Sequence, residues 1–341
     1  MSDFYALDDE AQAQAMRVLA ESALPQWNLE GSDLDLIKYR ENAVFAVTTP
    51  SGARYALRIH RYNYHTDAEL RSELLWMSAL AEAGIAVPTL VPTAAGEPFA
   101  VVDASVVPEP RQIDIFDWVA GEQLGSCEEG VNDRDAVIEN YRTIGSLSAR
   151  LHNQAVDWAL PEGFVRHAWD VEGLVGDAPF WGPFWELEAL SDDDRSLLLE
   201  ARERVRQDLT RYHADPANAG RYSVIHADCV AENLMVEGDQ IRLIDFDDAG
   251  FGWHLFDLAT VLYFEMDEEH FADSLEALIA GYREHRALPD TQVEALPLFF
   301  LARGFTYLGW VHTRSETQTA KEMTPTLIEM ARKRASEYLG A

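Results

Sequence analysis

The chain has 341 residues, and its 48% hydrophobic content is sufficient for a folded core. The formal net charge is −32, from 27 Lys and Arg against 59 Asp and Glu. An excess of this sign repels phosphate backbones and anionic lipid, so composition argues against nucleic-acid and membrane partners. Two cysteines, Cys127 and Cys229, cannot build a disulfide framework. With no signal peptide and no apolar run of about 18 residues, the sequence predicts a soluble, cytoplasmic protein.

The first part of the chain reads as one helix followed by mostly strand-forming sequence. "AQAQAMRVLAESAL" predicts the opening helix, and "LDLIKYR", "AVFAVTTP" and "RYALRIHR" predict three strands, with Ser51 and Gly52 as a hairpin turn. The capping box of Thr66 and Glu69 then begins a helix that Gly84 ends. Three further strands are predicted from "TLVPT", "PFAVVD" and "RQIDIFDWV".

The pattern becomes helical after "AGEQLG" near residue 120. Helical sequence begins at residue 133 and at residue 191, and a long helical tail runs from Glu268 to Leu339. These features favour an α+β fold, with a small N-terminal antiparallel sheet lobe, one key helix and a larger, mainly helical C-terminal lobe. The predicted division is 1–116 for the first lobe and 117–341 for the second, with a hinge near 115–121.

One segment of the helical half is unusually acidic, "VIHADCVAENLMVEGDQIRLIDFDDAGFG" at 224–252. Within it, "NLMVEGDQIRLID" predicts strand, turn and strand. Asp228 and Asn233 lie in the loop before the first strand, and Asp245 ends the second. Because such a unit brings its strand ends together, we expect these three polar groups to converge at one edge.

Two carboxylates and an amide oxygen at one point suit a hard divalent cation such as Mg²⁺, which takes one or two protein carboxylates and completes its shell with water and phosphate. A carboxylate that does not bind the metal can accept a proton from a hydroxyl nucleophile. The alternative interpretation is a solvated acidic turn, which does not require this combination of residues at this spacing.

The motif His226-Ala227-Asp228 with Asn233, followed by Asp245-Phe246-Asp247, matches the catalytic and metal loops of the protein-kinase-like superfamily. "IHADCVAENLM" with "IDFDDAGFG" resembles more closely the aminoglycoside phosphotransferase family. That group includes choline kinases, homoserine-kinase-like enzymes and bacterial stress-response kinases. The resemblance covers nearly the whole chain and implies a two-lobed kinase-like fold and ATP-dependent phosphorylation of a hydroxyl.

The resemblance also implies roles for individual residues. Asp228 orients or deprotonates the acceptor hydroxyl, while Asn233 and Asp245 hold Mg²⁺ against the nucleotide phosphates. His226 and Asp257 are expected to be scaffolding, because a buried carboxylate in the following helix can accept hydrogen bonds from the backbone of the catalytic loop. For His226, a satisfied core histidine is an equal alternative.

Kinase-like proteins place a lysine on the third strand, but this chain has Arg58 there. A guanidinium can bind phosphate with two parallel hydrogen bonds. Its expected partner is Glu73, which falls on the apolar stripe of the following helix and therefore needs a cation. The alternatives are that Arg58 and Glu73 are both solvated, or that Lys38 on the first strand contacts the phosphates.

The chain has no glycine-rich phosphate loop, since Glu41 and Asn42 occupy the turn between the first two strands. The aminoglycoside phosphotransferase family also lacks this loop, so its absence favours that branch over true protein kinases. Asn42 is expected near the phosphates or simply as a turn former. Backbone groups from Phe116 through Trp118 to Val119 are expected to meet adenine.

The acceptor site is less specific in the sequence. Trp181 and Trp185 belong to the tryptophan-rich stretch 167–185, and tryptophan faces attract ammonium groups. Together with the carboxylates of Asp228, Glu232 and Asp247, they suit an amine-bearing alcohol. A tryptophan-rich cover over the helical lobe is the structural alternative.

Two arginines of the tail, Arg303 and Arg314, are either ligands for a substrate carboxylate or surface residues. Homoserine, a hydroxylated amino acid, choline, ethanolamine, an aminoglycoside and a protein serine all fit the pattern. The predicted function is therefore an ATP- and Mg²⁺-dependent phosphotransferase acting on a hydroxyl of a small, polar, amine-bearing metabolite, with no particular oligomeric state indicated. The alternatives are a Ser/Thr protein kinase of the stress-response type, an inactive nucleotide-binding module and a metal-dependent hydrolase.

Overall fold

The computed structural model describes residues 4–40, 42–126, 130–131, 137–238 and 240–340. Glu41, Cys127 and the predicted helix start at residue 133 lie outside these ranges. Across the described ranges the fold is α+β, as the sequence predicts. No helix in this part of the chain combines the length and apolarity needed to cross a bilayer.

The helices are α1 (Asp9–Ala23), α2 (Asp67–Glu82), α3 (Val137–Asp157), α4 (Val171–Val175), α5 (Asp192–Ala214), α6 (His254–Leu262), α7 (Phe271–Arg283), α8 (Asp290–Val293), α9 (Leu296–Thr313) and α10 (Gln318–Leu339). Short 3₁₀ helices lie at Phe4–Ala6, Leu24–Trp27, Phe184–Glu186, Pro216–Asn218, Ala231–Asn233 and Tyr263–Glu265.

The strands are β1 (Asp33–Tyr39), β2 (Ala43–Thr48), β3 (Arg54–Ile59), β4 (Ala100–Val102), β5 (Arg111–Asp117), β6 (Glu122–Gln123), β7 (Gly125–Ser126), β8 (Gly130–Val131), β9 (Ala168–Trp169), β10 (Tyr222–Ile225), β11 (Leu234–Glu237), β12 (Gln240–Leu243) and β13 (Gly250–Trp253). They form sheets ordered β1-β2-β3-β5-β4, β10-β13-β9, β12-β11-β6 and β7-β8.

The chain divides into two compact units. The first runs to Gly121 and also takes in Leu160–Val165 and Arg242–Ile244, and the second contains the remainder. Residues 117–121 belong with the first unit because Asp117 pairs with Tyr55 on β3 and the guanidinium of Arg54 stacks 3.7 Å from the ring centroid of Trp118. This boundary falls a few residues after the division at 116 that the sequence suggests.

The first unit is built on an antiparallel sheet whose inner face packs against α1. Leu19 and Ala20 of α1 are fully buried against strand residues that include Phe45, Leu57 and Ile115. The strands β2, β3 and β5 each contain three or more consecutive buried residues, so the centre of this sheet is covered on both faces. The order of the strands places β3 at the centre, with β5 beside it.

Local signals account for the elements around β3. Thr49 and Ala53 close the predicted β2–β3 hairpin through a 2.9 Å backbone hydrogen bond, and Gly52 has a left-handed φ of 86° there. The predicted capping box begins α2, with Thr66 and Glu69 each bonded to the backbone of the other.

The strand predicted from "TLVPT" is absent from the described elements, because Pro88 and Pro92 cannot donate to a ladder. Leu90 forms only an isolated bridge with Phe116.

The second unit is mainly helical. Its tail is not one helix: it is divided into α7, α8, α9 and α10, and Pro289 stands just before α8. The helix α9 is buried on nearly all sides, from Leu296 through Val311, which marks it as the central helix of this unit. Two acidic loops leave the strands of this unit: the first follows β10 and carries Asp228, and the second runs from β12 to β13 and carries Asp245.

Candidate active site

The loop after β10 carries Asp228 in a constrained backbone. Ala227 has a left-handed φ of 65°, which is uncommon for a residue other than glycine. The carboxylate of Asp257 on α6 accepts the backbone N–H of Ala227 at 2.6 Å and that of His226 at 3.1 Å. These two hydrogen bonds hold the loop in its unfavourable conformation, which is the scaffolding contact that the sequence predicts for Asp257.

His226 is buried and supports the same loop. Its Nδ1 accepts the backbone N–H of Asp228 at 3.2 Å, and its ring lies edge-on to Phe246 with centroids 4.6 Å apart. These contacts are those of a satisfied core histidine that also orients the loop. His226 is therefore placed both as a core histidine and as a support of the loop.

Asp257 is itself oriented by a residue that the sequence did not indicate, His152 of α3. His152 Nε2 lies 2.9 Å from Asp257 Oδ2, and its Nδ1 lies 2.9 Å from the hydroxyl of Tyr282. Burial opposes ionisation of Asp257, but the hydrogen bonds from His152 and from the Ala227 amide lower its pKa overall. Burial lowers the pKa of His152 as well.

Both carboxylate oxygens of Asp228 accept hydrogen bonds. Asn233 Nδ2 donates to Oδ2 at 2.9 Å and also to the Asp228 carbonyl oxygen at 2.9 Å. Arg303 Nη2 on α9 donates to Oδ1 at 2.6 Å. The side chain of Asp228 is nonetheless 21% exposed, so it can be reached by a hydroxyl. The arrangement provides a fixed, accessible carboxylate.

Asn233 and Asp245 carry an amide oxygen and a carboxylate, which are oxygen ligands suited to a divalent cation. Because Asn233 uses its nitrogen for Asp228, its amide oxygen is left on the other side of the group, and no hydrogen bond reaches that oxygen from the described residues. Asp245 has a left-handed φ of 62° just after β12. No group of three or more His, Cys, Asp or Glu side chains in the described ranges could hold a metal by itself. Any ion here needs oxygens from a ligand, as Mg²⁺ does in phosphotransfer sites.

The segment after Asp245 is anchored through its backbone. Arg166 is buried and donates to the carbonyl oxygens of Asp247 and Ala249. The indole nitrogen of Trp169 donates to the Asp248 carbonyl at 2.9 Å. Asp247, a predicted substrate contact, is buried in this segment. These hydrogen bonds give the loop a defined shape although it lies outside any helix or sheet.

Arg58 lies in a buried cluster of charges within the first unit. Its Nη2 donates to Glu73 at 2.7 Å, so the predicted contact is present. The sequence did not indicate Asp114 of β5, which accepts from Arg58 Nε at 3.1 Å and Nη2 at 2.8 Å, or His60, whose Nε2 is 2.9 Å from the same carboxylate. Burial raises the pKa of Asp114, but the charges of Arg58 and His60 outweigh burial and lower it overall.

The other predicted nucleotide contacts of this unit lie in sheet and turn positions. Asn42 forms the β1–β2 turn, and its Oδ1 accepts the backbone N–H of Arg61 at 2.9 Å. Phe116 pairs with Ala56 in the sheet, and the Trp118 amide donates to Arg54. Val119 follows the end of β5, and Lys38 pairs with Val44 beside a bulge in β1.

The two predicted tryptophans face protein cations. The guanidinium of Arg303 lies 4.8 Å from the ring centroid of Trp181, and that of Arg202 lies 4.0 Å from Trp185. Trp181 is buried, and its indole nitrogen donates to Asp248 Oδ1 at 3.2 Å. These contacts favour the structural role for both tryptophans. Glu232 lies in the turn before β11, where its carbonyl oxygen accepts from Gln123 at 2.8 Å.

Neither tail arginine is a surface residue. Arg303 is fully buried beside Asp228, and Arg314 is buried at the end of α9, where burial lowers its pKa to about 10. A sequence signal for Arg303 and for Asp114 does exist: each is a single charge inside an apolar run, "FLARGF" and "QIDIF". A charge in such a place needs a partner, but the sequence does not show which one.

Comparisons with known proteins identify the family of the chain. Residues 38–292 match the family model described as "Phosphotransferase enzyme family". The solved structure of a microcompartment-associated aminopropanol kinase is similar, with 30% identity, a TM-score of 0.82, and coverage of 95% of this chain and 98% of that one.

Two further relatives are similar at lower identity. A homoserine kinase from Sinorhizobium medicae is 28% identical over 269 residues, which cover 77% of this chain and 73% of that protein. An amicoumacin kinase, solved in complex with AMP-PNP, Ca²⁺ and Ami, shares the fold with a TM-score of 0.73 and 19% identity over 96% of each chain. With the family model matching most of its length, the chain is a member of the phosphotransferase enzyme family and has its kinase-like fold.

Proposed function

We propose that the protein transfers the γ-phosphoryl group of ATP, with a divalent cation such as Mg²⁺, to a hydroxyl of a small amine-bearing alcohol. The observation that carries this proposal is the Asp228 carboxylate. It is fixed by Asn233 and Arg303, remains accessible, and follows a backbone that Asp257 holds in place. A carboxylate so prepared is suited to orient one hydroxyl and accept its proton.

In the proposed reaction, Asp228 binds the acceptor hydroxyl so that its oxygen faces the γ-phosphorus. A bond forms between that oxygen and the phosphorus as the bond to the β–γ bridging oxygen breaks. The hydroxyl proton passes to Asp228. Because the phosphoryl group is only loosely bonded in the transition state, orientation of the nucleophile contributes more than its basicity.

Asn233 and Asp245 are the residues proposed to hold the cation. Their support is the amide oxygen of Asn233, which no hydrogen bond from the described residues reaches, and the position of Asp245 two residues after β12. A bound divalent cation would neutralise charge on the phosphate oxygens. The amicoumacin kinase complex with AMP-PNP and Ca²⁺ supports a nucleotide and a divalent ion in this fold.

Arg58 is the proposed phosphate-binding cation, oriented by Glu73 and by Asp114. Asn42 is proposed to lie near the phosphates, and the backbone from Phe116 through Trp118 to Val119 is proposed to meet the adenine. Because Asn42 already caps the Arg61 amide, its proposed contribution is the shape of the turn rather than a side-chain contact.

An amine-bearing acceptor is supported by charge and by the relatives. Aminopropanol and homoserine, named in the descriptions of two relatives, both contain an amine and a hydroxyl. Glu232 and Asp247 are the carboxylates proposed to attract the ammonium group, and the net charge of −32 favours a cationic ligand.

The experiment is phosphoryl transfer from γ-labelled ATP with Mg²⁺ to aminopropanol, homoserine and propanol, the last as the amine-free control. We expect label on the amino alcohols, with kcat/KM at least about tenfold above propanol, because a site that binds an ammonium group discriminates against its absence. Equal use of propanol would contradict the amine preference. Label on added protein but on no small molecule would favour the protein-kinase alternative.

A further inference from the structure

Arg303 is a cation in the interior of the second unit. It lies on the apolar helix α9 and its side chain is fully buried. Its Nη2 donates to Asp228 Oδ1 at 2.6 Å and is 2.9 Å from the hydroxyl of Tyr307, while Nη1 donates to the Ala227 carbonyl at 3.0 Å. One guanidinium therefore holds both the backbone of the catalytic loop and the carboxylate that follows it.

Aromatic rings surround this guanidinium. The ring centroids of Tyr307, Trp181 and Phe256 lie 4.2, 4.8 and 5.5 Å from its central carbon. Burial disfavours the charged guanidinium, but Tyr307 and Asp228 outweigh burial and raise the pKa of Arg303. A packed, planar cation with few alternative rotamers is a rigid support for its acceptors.

The same aromatic shell reaches the loop that follows Asp245. The Trp181 indole contacts the Arg303 guanidinium with its ring face and donates from its nitrogen to Asp248 Oδ1. Arg303 thus belongs to a packed group that touches both acidic loops. The substrate role that the sequence left open for this arginine does not agree with its burial, because its fork is already used by the protein.

We infer that Arg303 is a positioning residue for Asp228, and this inference rests on the proposed function. Asn233 binds one carboxylate oxygen and Arg303 binds the other, so together they fix the rotation of the carboxylate. Without Arg303, Oδ1 loses this donor, and the carboxylate of Asp228 is held less firmly toward the acceptor. Turnover should then fall while nucleotide binding, which does not use Oδ1, should remain.

The test compares Arg303→Gln and Arg303→Lys with the parent protein. Arg111→Gln is the matched control, because Arg111 is also buried, faces the ring of Tyr62 at 5.3 Å, and bonds a tyrosine hydroxyl and a carboxylate far from Asp228 in the sequence. We expect Arg303→Gln to lower kcat about 10- to 100-fold, since small misplacements of reacting groups have effects of this size. The KM for ATP should stay within about twofold, because Arg303 does not serve the nucleotide in this inference.

Arg303→Lys should have an intermediate kcat, since an ammonium group keeps the charge but cannot bridge Ala227 and Asp228 with a planar fork. If the Gln variant fails to fold, the Lys variant tests the inference instead. A lower kcat of Arg303→Lys with an unchanged KM for ATP supports the inference. An unchanged kcat overturns it. A loss of activity that only follows a loss of nucleotide binding, as in a partly unfolded protein, also overturns it.

Asp228→Asn separates this inference from the proposed function. If Asp228→Asn retains normal turnover, the proposed function itself fails. If Asp228→Asn loses turnover but Arg303→Gln keeps it, only the positioning role of Arg303 is wrong.

Discussion

The residue Asp257 shows how a buried charge is used within this chain. Its carboxylate accepts two backbone amides of the loop that carries Asp228 and the Nε2 proton of His152. Since a carboxylate only accepts, the neutral His152 carries its proton on Nε2 and accepts from Tyr282 at Nδ1, which satisfies both ring nitrogens. Three donors offset the desolvation of one anion, and the strained Ala227 conformation is stabilised as a result.

Asp245 is the residue whose substitution tests the metal assignment. We expect Asp245→Ala to remove most of the gain in nucleotide affinity that Mg²⁺ provides, at least about tenfold, because it deletes the carboxylate proposed to bridge the ion. Asp245→Asn keeps a side chain that tolerates the left-handed backbone at this position and checks for misfolding. Calorimetry with and without Mg²⁺ measures the effect, and an unchanged Mg²⁺ dependence in both variants would contradict the assignment.

At the scale of elements, one guanidinium on β3 forms hydrogen bonds with both α2 and β5. Arg58 of β3 bonds Glu73 of α2 and, through two nitrogens, Asp114 of β5. Two carboxylates thus share one arginine, and His60 lies 2.9 Å from Asp114. The cluster is fully packed, so its contribution is the orientation of Arg58 more than net stability.

A double-mutant cycle tests this cluster through kcat/KM for ATP. Arg58→Ala should reduce it strongly, and Glu73→Ala less, because Asp114 still holds Arg58 with two hydrogen bonds. The Arg58 and Glu73 changes together should cost less than their sum, with coupling of about 0.5–3 kcal/mol. Arg58→Lys should reduce activity without abolishing it.

A different result of this cycle would contradict the assignment of Arg58. If the Arg58 and Glu73 effects are additive and Lys38→Ala is the crippling change, the phosphate-binding cation belongs to β1. Asp114→Asn offers a further check, since it should loosen Arg58 more than Glu73→Ala does.

Elements specified by short-range signals were predictable, and those set by distant contacts were not. The capping box of α2 and the β2–β3 turn each depend on residues within a few positions of one another. The contact between Asp228 and Asn233 was predictable for the same reason, because both residues belong to one loop. By contrast, Arg303 is 75 residues from Asp228, and Asp114 is 56 residues from Arg58. The residue types indicated that these charges need partners, but which residues become the partners depends on how α9 and β5 pack.

For the whole molecule, buried histidines couple stability to pH. His152 and His254 stack with ring centroids 4.2 Å apart and at 8°. Burial lowers the pKa of both, and for His254 the neighbouring His152, Arg286 and Arg221 lower it further. The unfolded chain binds protons at these side chains near the ordinary value of 6.5, whereas the folded protein does not. The free energy of unfolding should therefore decrease as pH falls below this value.

Thermal unfolding at pH 7.5 and 5.5 measures this dependence. We expect a lower Tm at the lower pH, and a smaller difference for His254→Phe, which keeps a stacked ring but cannot be protonated. His285→Gln is the control, because His285 is exposed and should leave the difference unchanged. An identical pH dependence for His254→Phe and the parent would show that His254 does not contribute.

The central claim is that Asp228 serves the acceptor hydroxyl and not the nucleotide. Asp228→Asn tests it most directly, because the amide keeps the shape and can still bond Arg303 or Asn233 but cannot take a proton. Single-turnover transfer from labelled ATP to an amino alcohol should fall by at least about 100-fold, while MgATP affinity by calorimetry stays within about twofold of the parent. Near-normal transfer, or a loss explained by weakened MgATP binding, would contradict the claim.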